Sequence, residues 1–300
     1  MPTRARNVSA AALRLPQRAE VWLFDCGEAT QHQIQRTDLR LSQITRIFIS
    51  HLHGDHVLGL MGLIASTGLA GISQPIRLYG PSGLREFVQT TARLTRTLIT
   101  DALTFQTAEP GTLFEDDEFV VSCQTLRHRV PAFGYRVNER DRAGHFDVER
   151  ARSLGIPEGP FYGRLKRGET VTLEDGRTFD GSELCGPEIR GRSFVYCTDT
   201  SYCANSVALS EGADVLVHEA TFADEDEHLA RQSAHSTASE AARVAAEARV
   251  RRLILTHVSP RYAHGNAIEL SSLLAQARAV FPQTIIAEDF MSLEVARQES

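Results

Sequence analysis

The chain has 300 residues, of which 42% are hydrophobic, so it can bury the core of one large domain or two small ones. Its formal net charge of −6 argues against a surface that binds nucleic acid throughout, although it does not exclude a local basic patch. The sequence contains no apolar run long enough for a membrane span, no secretory signal in MPTRARNVSA, and five irregularly spaced cysteines without a CxxC pair, which together predict a cytoplasmic protein without disulfides or a zinc finger.

Apolar, β-rich runs that end at a histidine or a carboxylate recur along the chain. The first, RIFISH, ends at His51, and helical patterns follow it over HVLGLMGLIAS and GLREFVQTTARL. The later runs are FVVSCQTLRH ending at His128, RSFVYCTD at Asp199, DVLVHEA at His218 and Glu219, and RLILTH at His257. We expect each run to be a strand that delivers a polar side chain at its end.

Two more helices are predicted near the end of the chain. STASEAARVAAEA begins with a capping box formed by Thr237 and Glu240, and AIELSSLLAQARAVF carries a helical apolar pattern. Strands and helices therefore mix throughout, which indicates the α/β class. In such folds, polar residues at strand ends mark the usual place of a site.

Residues 138–190 differ in composition from the rest of the chain. They are rich in Gly, Pro, Arg and acidic residues, and their apolar periodicity is weak. We interpret them as an insertion, an arm with a small hairpin around LEDGRTF. The alternative is a plain surface excursion without a role of its own.

The segment SHLHGDHVLG concentrates metal-binding chemistry into one turn. His51 and His53 point the same way in an extended segment, so both can reach one ion. Asp55 and His56 follow where the chain turns into a helix, and they can approach a second ion. Nitrogen and carboxylate ligands of this kind suit Zn²⁺, with Mn²⁺ or Fe²⁺ as alternatives.

Residues distant in sequence must complete two such sites. The strand-end residues Asp199, His128 and His257 are the candidates, with Asp199 as a carboxylate that bridges the ions. Taken alone, a histidine such as His128 is more often a structural residue than a metal ligand. The HxHxDH cluster favours ligation, because other residues must complete its metal sites. Two ions about 3.5–4 Å apart can activate water and stabilise an in-line displacement at phosphorus.

HxHxDH after a strand, with later His, Asp and His at strand ends, resembles the metallo-β-lactamase superfamily. The segments WLFDCGEATQHQI, HRVPAFGYRV, HEATF, HST and LILTHVSPRY narrow the resemblance to the ribonuclease Z family of tRNA 3′ endonucleases. The match runs from about residue 6 to residue 295. It implies an αβ/βα sandwich of the metallo-β-lactamase type, a single domain over residues 1–300 with a flexible arm inserted at about 140–190.

The resemblance also implies roles for individual residues. His51, His53 and His128 would hold one zinc ion, Asp55, His56 and His257 the other, and Asp199 would bridge them. Asp55 would also accept a proton, and His235 would donate one to the departing 3′ oxygen. Independently of the resemblance, we expect Glu219 to orient a histidine through a carboxylate–imidazole hydrogen bond, with His235 as our choice of partner. Asp25 would support the ligands from behind.

The segment Gly155–Gly168 resembles the arm with which the family grips tRNA. Its candidate tRNA-binding residues are Gly159, Pro160, Arg164, Lys166 and Arg167. The resemblance further implies a homodimer, two Zn²⁺ ions per chain and precursor tRNA as the substrate, with no membrane association. The expected products are a tRNA with a 3′ hydroxyl and a trailer with a 5′ phosphate.

The chain departs from the family pattern at two places. It starts at MPTRARN, without the strand and glycine-rich loop that usually precede RN, so either the start is truncated or misassigned or the first strand is absent. Thr198 stands before Asp199, where the family usually has glycine. The alternatives to a tRNA nuclease are another hydrolase on this scaffold, such as a small-molecule phosphodiesterase or an arylsulfatase, and an inactive RNA-binding relative.

Overall fold

The computed structural model of the chain describes residues 1–99 and 102–297. The chain divides into two compact units. The first unit comprises Met1–Phe114, Val121–Val137 and Phe194–Leu293, and the second comprises Glu115–Val120, Asn138–Ser193 and the segment from Glu294. Every helix in the described part of the chain is too short or too polar to cross a lipid bilayer.

The strands form two large sheets and one small hairpin. In chain order they are β1 (Ala11–Leu15), β2 (Glu20–Phe24), β3 (Ile44–Phe48), β4 (Ile76–Gly80), β5 (Leu103–Thr107), β6 (Gly111–Glu115), β7 (Phe119–Leu126), β8 (Ala132–Glu139), β9 (Thr170–Thr172), β10 (Thr178–Asp180), β11 (Ser193–Cys197), β12 (Val215–Glu219), β13 (Leu253–Thr256) and β14 (Thr284–Ile286). The first sheet has the order β1-β2-β3-β4-β5, the second β14-β13-β12-β11-β8-β7-β6, and β9 pairs with β10.

Parallel pairing sets the direction in which the strands deliver their side chains. In the first sheet β2, β3, β4 and β5 run parallel, and β1 pairs antiparallel with β2 as the outermost strand. In the second sheet β11, β12, β13 and β14 run parallel. Within each parallel set, the carboxyl ends therefore lie along one edge of the sheet.

Helices occupy the four predicted segments and also lie at places where none was predicted. In chain order they are α1 (Thr30–Ile34), α2 (Gly54–Val57), α3 (Leu60–Leu69), α4 (Leu84–Thr95), α5 (Val148–Ser153), α6 (Pro160–Lys166), α7 (Ala204–Ser210), α8 (Glu227–Ser233), α9 (Ala238–Glu247) and α10 (Leu270–Val280). The capping box of α9 is confirmed, because the Thr237 side chain accepts from the Glu240 amide and Glu240 accepts from the Thr237 amide.

The prediction of a single helix over HVLGLMGLIAS is wrong, because the segment forms two helices, α2 and α3, which are separated at Gly59. The chain after β2 passes directly against this glycine. A side chain at position 59 would lie 1.9 Å from the carbonyl oxygen of Gly27, and one at position 27 would lie 2.3 Å from that of Asp55. The two glycines therefore let the segment after β2 bind the backbone of the HxHxDH turn, through Cys26 N–H to His56 O at 2.8 Å.

Alternating side chains build the layers of the first unit. Along β2, Val21 and Leu23 pack with α1, α3 and α4, whereas Trp22 and Phe24 point to the opposite face. On that face Phe24 lies 5.1 Å from Phe194 of the second sheet, measured between ring centroids. Val195 and Cys197 of β11 pack with α7, α9 and α10 on the far side. The order is therefore helix, sheet, sheet, helix, with an aromatic layer between the two sheets.

The second unit has a small core of its own. Buried apolar side chains from α5, α6, β9 and the adjoining loops pack together, and they are Phe146, Ala151, Ile156, Tyr162, Leu165, Val171, Leu173 and Leu184. The hairpin expected around LEDGRTF is confirmed as β9 and β10, with Thr172 opposite Thr178. Weak periodicity concealed this core, because most of its elements are too short to show a repeating pattern.

Candidate metal centre

The strand ends of both sheets supply the centre. Asp25 follows β2, His51 follows β3, His128 follows β7, Asp199 follows β11 and His257 follows β13. The four runs that end at His51, His128, Asp199 and His257 are therefore confirmed as strands, and the fifth, DVLVHEA, is confirmed as β12, which ends at Glu219. The side chains of Asp25, His51, His128 and Asp199 are buried, whereas those of His257 and Asp55 are 15% and 29% exposed, so the centre is open to solvent on their side.

The structure brings the seven predicted ligands together in two groups. The first group is His51, His53, His128 and Asp199, and the second is Asp55, His56 and His257. Asp199 joins them, because its Oδ2 lies 3.4 Å from His51 Nε2 while its Oδ1 lies 3.2 Å from His56 Nε2. A carboxylate with one oxygen toward each group is the arrangement that a bridging ligand requires.

The spacing of the facing atoms fits metal ions. In the first group, His53 Nδ1 lies 3.0 Å from His51 Nε2 and 3.2 Å from His128 Nε2. In the second group, His257 Nε2 lies 3.3 Å from His56 Nε2 and 3.4 Å from Asp55 Oδ2. Ligands about 2.0–2.1 Å from one tetrahedral zinc ion are roughly 3.3 Å apart. The donor set and its spacing therefore fit two zinc-sized cations.

One buried carboxylate, Asp25, orients an imidazole of each group. His56 Nδ1 donates to Asp25 Oδ2 at 2.7 Å, which leaves His56 Nε2 free to coordinate. Ser50 Oγ also donates to Asp25 Oδ2, at 2.9 Å, so this hydroxyl must accept from His51 Nδ1 at 2.9 Å. Tyr196 adds a further hydrogen bond to Asp25 at 3.0 Å. These bonds fix both tautomers with Nε2 facing the centre.

A second buried carboxylate, Glu219, orients two imidazoles from the other sheet, those of His235 and His257. His235 Nδ1 donates to Glu219 Oε1 at 2.7 Å. Thr221 Oγ1 donates to Glu219 Oε2 at 2.6 Å, and so it accepts from His257 Nδ1 at 2.9 Å. The predicted pairing of Glu219 with His235 is thus present. Glu219 and the Thr221 hydroxyl together connect His235 to His257, a candidate metal ligand.

The sequence reasoning missed Ser50, Thr221 and the carbonyl of Ala234, which accepts from His128 Nδ1 at 2.9 Å. Ser50 directly precedes His51, and Thr221 lies within HEATF, so both residues belong to segments that the sequence singles out. Hydroxyl groups of this kind are too common in sequences to signal a site. Only the hydrogen bonds to the imidazoles of the candidate ligands reveal their role.

Burial and neighbouring charges set the protonation states. Burial lowers the pKa of His128 to about 4, so this imidazole is neutral and able to coordinate at pH 7. The neighbouring His257 lowers the pKa of Asp55, although burial opposes the shift. Burial also opposes ionisation of Asp199, but His257 and His56 hold its pKa well below the usual range. Both carboxylates are therefore anionic, as metal ligands must be.

Three residues of the centre have left-handed backbone conformations, with φ of +60° at Asp25, +41° at Asp199 and +54° at His257. Such conformations are uncommon outside glycine and concentrate at functional sites. The residue before Asp199 does not need glycine, since the positive φ is at Asp199 itself. Thr198 is buried, and its hydroxyl donates to Asp199 Oδ1 at 2.9 Å.

The remaining predicted residues lie in the second unit. Gly159 has φ of +111° and ψ of −132°, a conformation available almost only to glycine, and Pro160 begins α6. Arg164 and Arg167 are exposed and pair with Glu169 at 3.0 and 2.8 Å. The other arm cation, Lys166, is also exposed. Five histidines lie outside the predicted site: His218 is buried, and the other four are exposed, namely His32, His145, His228 and His264.

Comparisons with known proteins show which family the chain belongs to. The family model described as "Beta-lactamase superfamily domain" matches residues 167–258, and that described as "Anti-Pycsar protein Apyc1" matches residues 5–119. The chain is 60% identical to a Ribonuclease Z of Nostoc sp., over 99% of this chain and 92% of the relative. It is 58% identical to a Ribonuclease Z of Gloeothece citriformis, over 100% of this chain and 94% of the relative.

The chain belongs to the ribonuclease Z family. The crystal structure of human tRNase Z, short form, agrees with a TM-score of 0.69 and 31% identity, covering 98% of this chain and 95% of that one. The fold is accordingly that of the metallo-β-lactamases, and the predicted α/β sandwich class is confirmed. His/Asp groups that could hold divalent metal are part of this fold here.

Proposed function

We infer that this chain is a metal-dependent endoribonuclease that removes the 3′ trailer from precursor tRNA. The tRNA would keep a 3′ hydroxyl and the trailer a 5′ phosphate. The observation that carries the inference is the pair of ligand groups joined by Asp199, in a chain about 60% identical to proteins named Ribonuclease Z. Two facing groups of nitrogen and carboxylate ligands are suited to hydrolysis of a phosphodiester.

We propose two Zn²⁺ ions per chain, with Mn²⁺ or Fe²⁺ as alternatives. His51, His53 and His128 would hold one ion, Asp55, His56 and His257 the other, and Asp199 would bridge them. When bound, such ions lower the pKa of water and neutralise charge that develops at phosphorus. Asp25 and Glu219 would act from behind by keeping the ligand imidazoles in the correct orientation and tautomer.

The chain's own residues would then move the protons. Asp55 would accept a proton from the attacking water, as the family resemblance implies, and its carboxylate is partly exposed at the centre. As water adds to phosphorus and the bond to the 3′ oxygen breaks, that oxygen needs a proton. His235 can supply it, because its Nδ1 is held by Glu219 and its Nε2 faces the centre, 4.0 Å from Asp199 Oδ2. Burial opposes protonation of His235, but the charge and hydrogen bond of Glu219 outweigh it and raise the pKa.

We also propose the family's mode of substrate binding. In a single metallo-β-lactamase domain spanning 1–300, the inserted arm at about 140–190 would contact tRNA through Gly159, Pro160, Arg164, Lys166 and Arg167. The exposure of the three cations supports this role. We propose further that the protein works as a homodimer in the cytoplasm.

Incubation of the purified protein with a 3′-extended precursor tRNA tests the function directly. We expect one cut near the discriminator nucleotide, product ends as stated above, and loss of cleavage with a chelator. His53→Ala or Asp55→Ala should abolish cleavage with the fold kept, as checked by circular dichroism. Full activity in either variant would refute the mechanism, and cleavage of small phosphodiesters alone would favour another hydrolase. Far fewer than two bound metal ions per chain would favour an inactive RNA-binding protein.

A further inference from the structure

The loop that carries His128 also carries two arginines. We call residues 127–131, which connect β7 to β8, the ligand loop. It is fixed to the centre, because Arg127 N–H donates to Thr200 Oγ1 at 3.0 Å and Arg127 O accepts from Ser201 N–H at 2.9 Å. The hydrogen bond from His128 to Ala234 O fixes it on the other side, directly beside His235. The backbone that carries both arginines is therefore held next to the candidate ligands.

Both guanidinium groups of the ligand loop are exposed. Within residues 1–99 and 102–297, neither has a carboxylate, carbonyl or aromatic ring as a partner, unlike Arg164 and Arg167 with their shared Glu169. Arg129 also lies close enough to His235 for its positive charge to act on that imidazole. These two cations extend from a loop whose backbone is fixed beside the centre, and they lack an anion on an acidic protein, so they are suited to an anionic ligand.

We propose that Arg127 and Arg129 bind backbone phosphates of the RNA next to the scissile bond. This inference rests on the proposed function. A planar guanidinium can donate two parallel hydrogen bonds to a phosphate, which positions it better than a point charge does. Such contacts position the chain without reading its sequence. The ligand loop thus aligns the RNA with the same segment that supplies a metal ligand.

The test compares Arg127→Ala, Arg129→Ala and the double variant with Arg252→Ala. Arg252 is a matched control, since it is an exposed arginine without a side-chain partner in the described chain, and it precedes β13 at the end opposite His257. For precursor tRNA we expect KM to rise about tenfold for Arg129→Ala, as for loss of a charged hydrogen bond. The slope of log(kcat/KM) against log[salt] should become less steep by roughly 0.7–0.9 per phosphate contact. Arg129→Lys should recover part of the loss.

Cleavage of bis(p-nitrophenyl) phosphate and the bound metal content report on the centre itself. Both should equal the wild-type values in all variants, because this small substrate has no neighbouring phosphate. An equal loss on both substrates would overturn the proposal, since the arginines would then only position His128. A KM and salt slope like those of Arg252→Ala would also overturn it, with the proposed function intact. A wild-type protein that cleaves no precursor tRNA would overturn both.

Discussion

At the scale of single residues, the centre repeats one device in each sheet. A buried carboxylate bonds one imidazole directly and a second through a hydroxyl group. Asp25 with Ser50 does so in the first sheet, and Glu219 with Thr221 in the second. Because a hydroxyl has one proton, which it donates to the carboxylate, it can only accept from the imidazole. Each tautomer is thereby set before a metal arrives.

Thr221→Val tests this device, because it keeps the shape of the side chain and removes the hydroxyl. The Nδ1 proton of His257 would lose its acceptor. We expect metal affinity to fall about 10- to 100-fold, the usual cost of losing such a partner, and kcat to fall with it. Competition with a fluorescent chelator measures the affinity. Thr221→Ser is the control and should behave as wild type, whereas unchanged affinity in Thr221→Val would rule the device out.

At the scale of elements, strand ends place the candidate ligands, and the candidate arm residues lie in the second unit. The candidate arm residues lie on a segment whose core includes Ile156, Tyr162 and Leu165. Deletion of the arm would remove this core, so a deletion variant could lose activity through loss of folding as well as through loss of tRNA binding. Substitution of exposed side chains is the sharper experiment.

Replacement of Arg164, Lys166 and Arg167 by alanine should weaken precursor tRNA binding. Because exposed ion pairs are worth only about 0–1 kcal/mol, their pairing with Glu169 would not keep the two arginines from RNA. We expect a higher KM for precursor tRNA and unchanged cleavage of bis(p-nitrophenyl) phosphate.

The control for the arm variant removes Arg152 and Arg177, which are equally exposed cations of the second unit. An equal rise of KM in the control would mean that the positive charge of the second unit as a whole attracts the tRNA, and not the three cations on and next to α6. An unchanged KM in the arm variant would remove these three residues from the binding surface.

At the scale of the whole molecule, the second unit is held together around one buried carboxylate. Glu139, whose side chain is 2% exposed, binds Arg142, Arg192 and Arg297, so the C-terminal segment is tied to residues 138–193. Burial alone would raise the pKa of Glu139, but the hydrogen bond and charge of Arg192, with Arg297, lower it below the ordinary 4.5.

A lowered pKa in the folded state predicts the pH dependence of stability. The contribution of Glu139 is complete above the unfolded value of 4.5 and is lost as pH falls through the folded value. Glu139→Gln should therefore destabilise the second unit by about 2 kcal/mol at pH 7, below the fully buried limit because its partners are partly exposed. The difference from wild type should shrink below pH 4.5.

Hydrogen exchange of amides in residues 138–193, measured at several pH values, follows this difference. Glu149→Gln is the control, because Glu149 is 83% exposed and its pair with Arg152 lies at the surface. A difference between wild type and Glu139→Gln that stays constant down to pH 3 would contradict the assigned role.

The sequence by itself determined the chemistry of this protein and most of its elements. HxHxDH, the strand-end residues Asp199 and His257, and the capping box of α9 are local patterns, and local patterns depend on residue type and spacing. The tertiary structure alone decided which atoms meet. The His56 and His257 nitrogens are 201 residues apart in sequence and 3.3 Å apart in space. The roles of Ser50 and Thr221 and the core of the second unit arise from such long-range contacts, which no local period encodes.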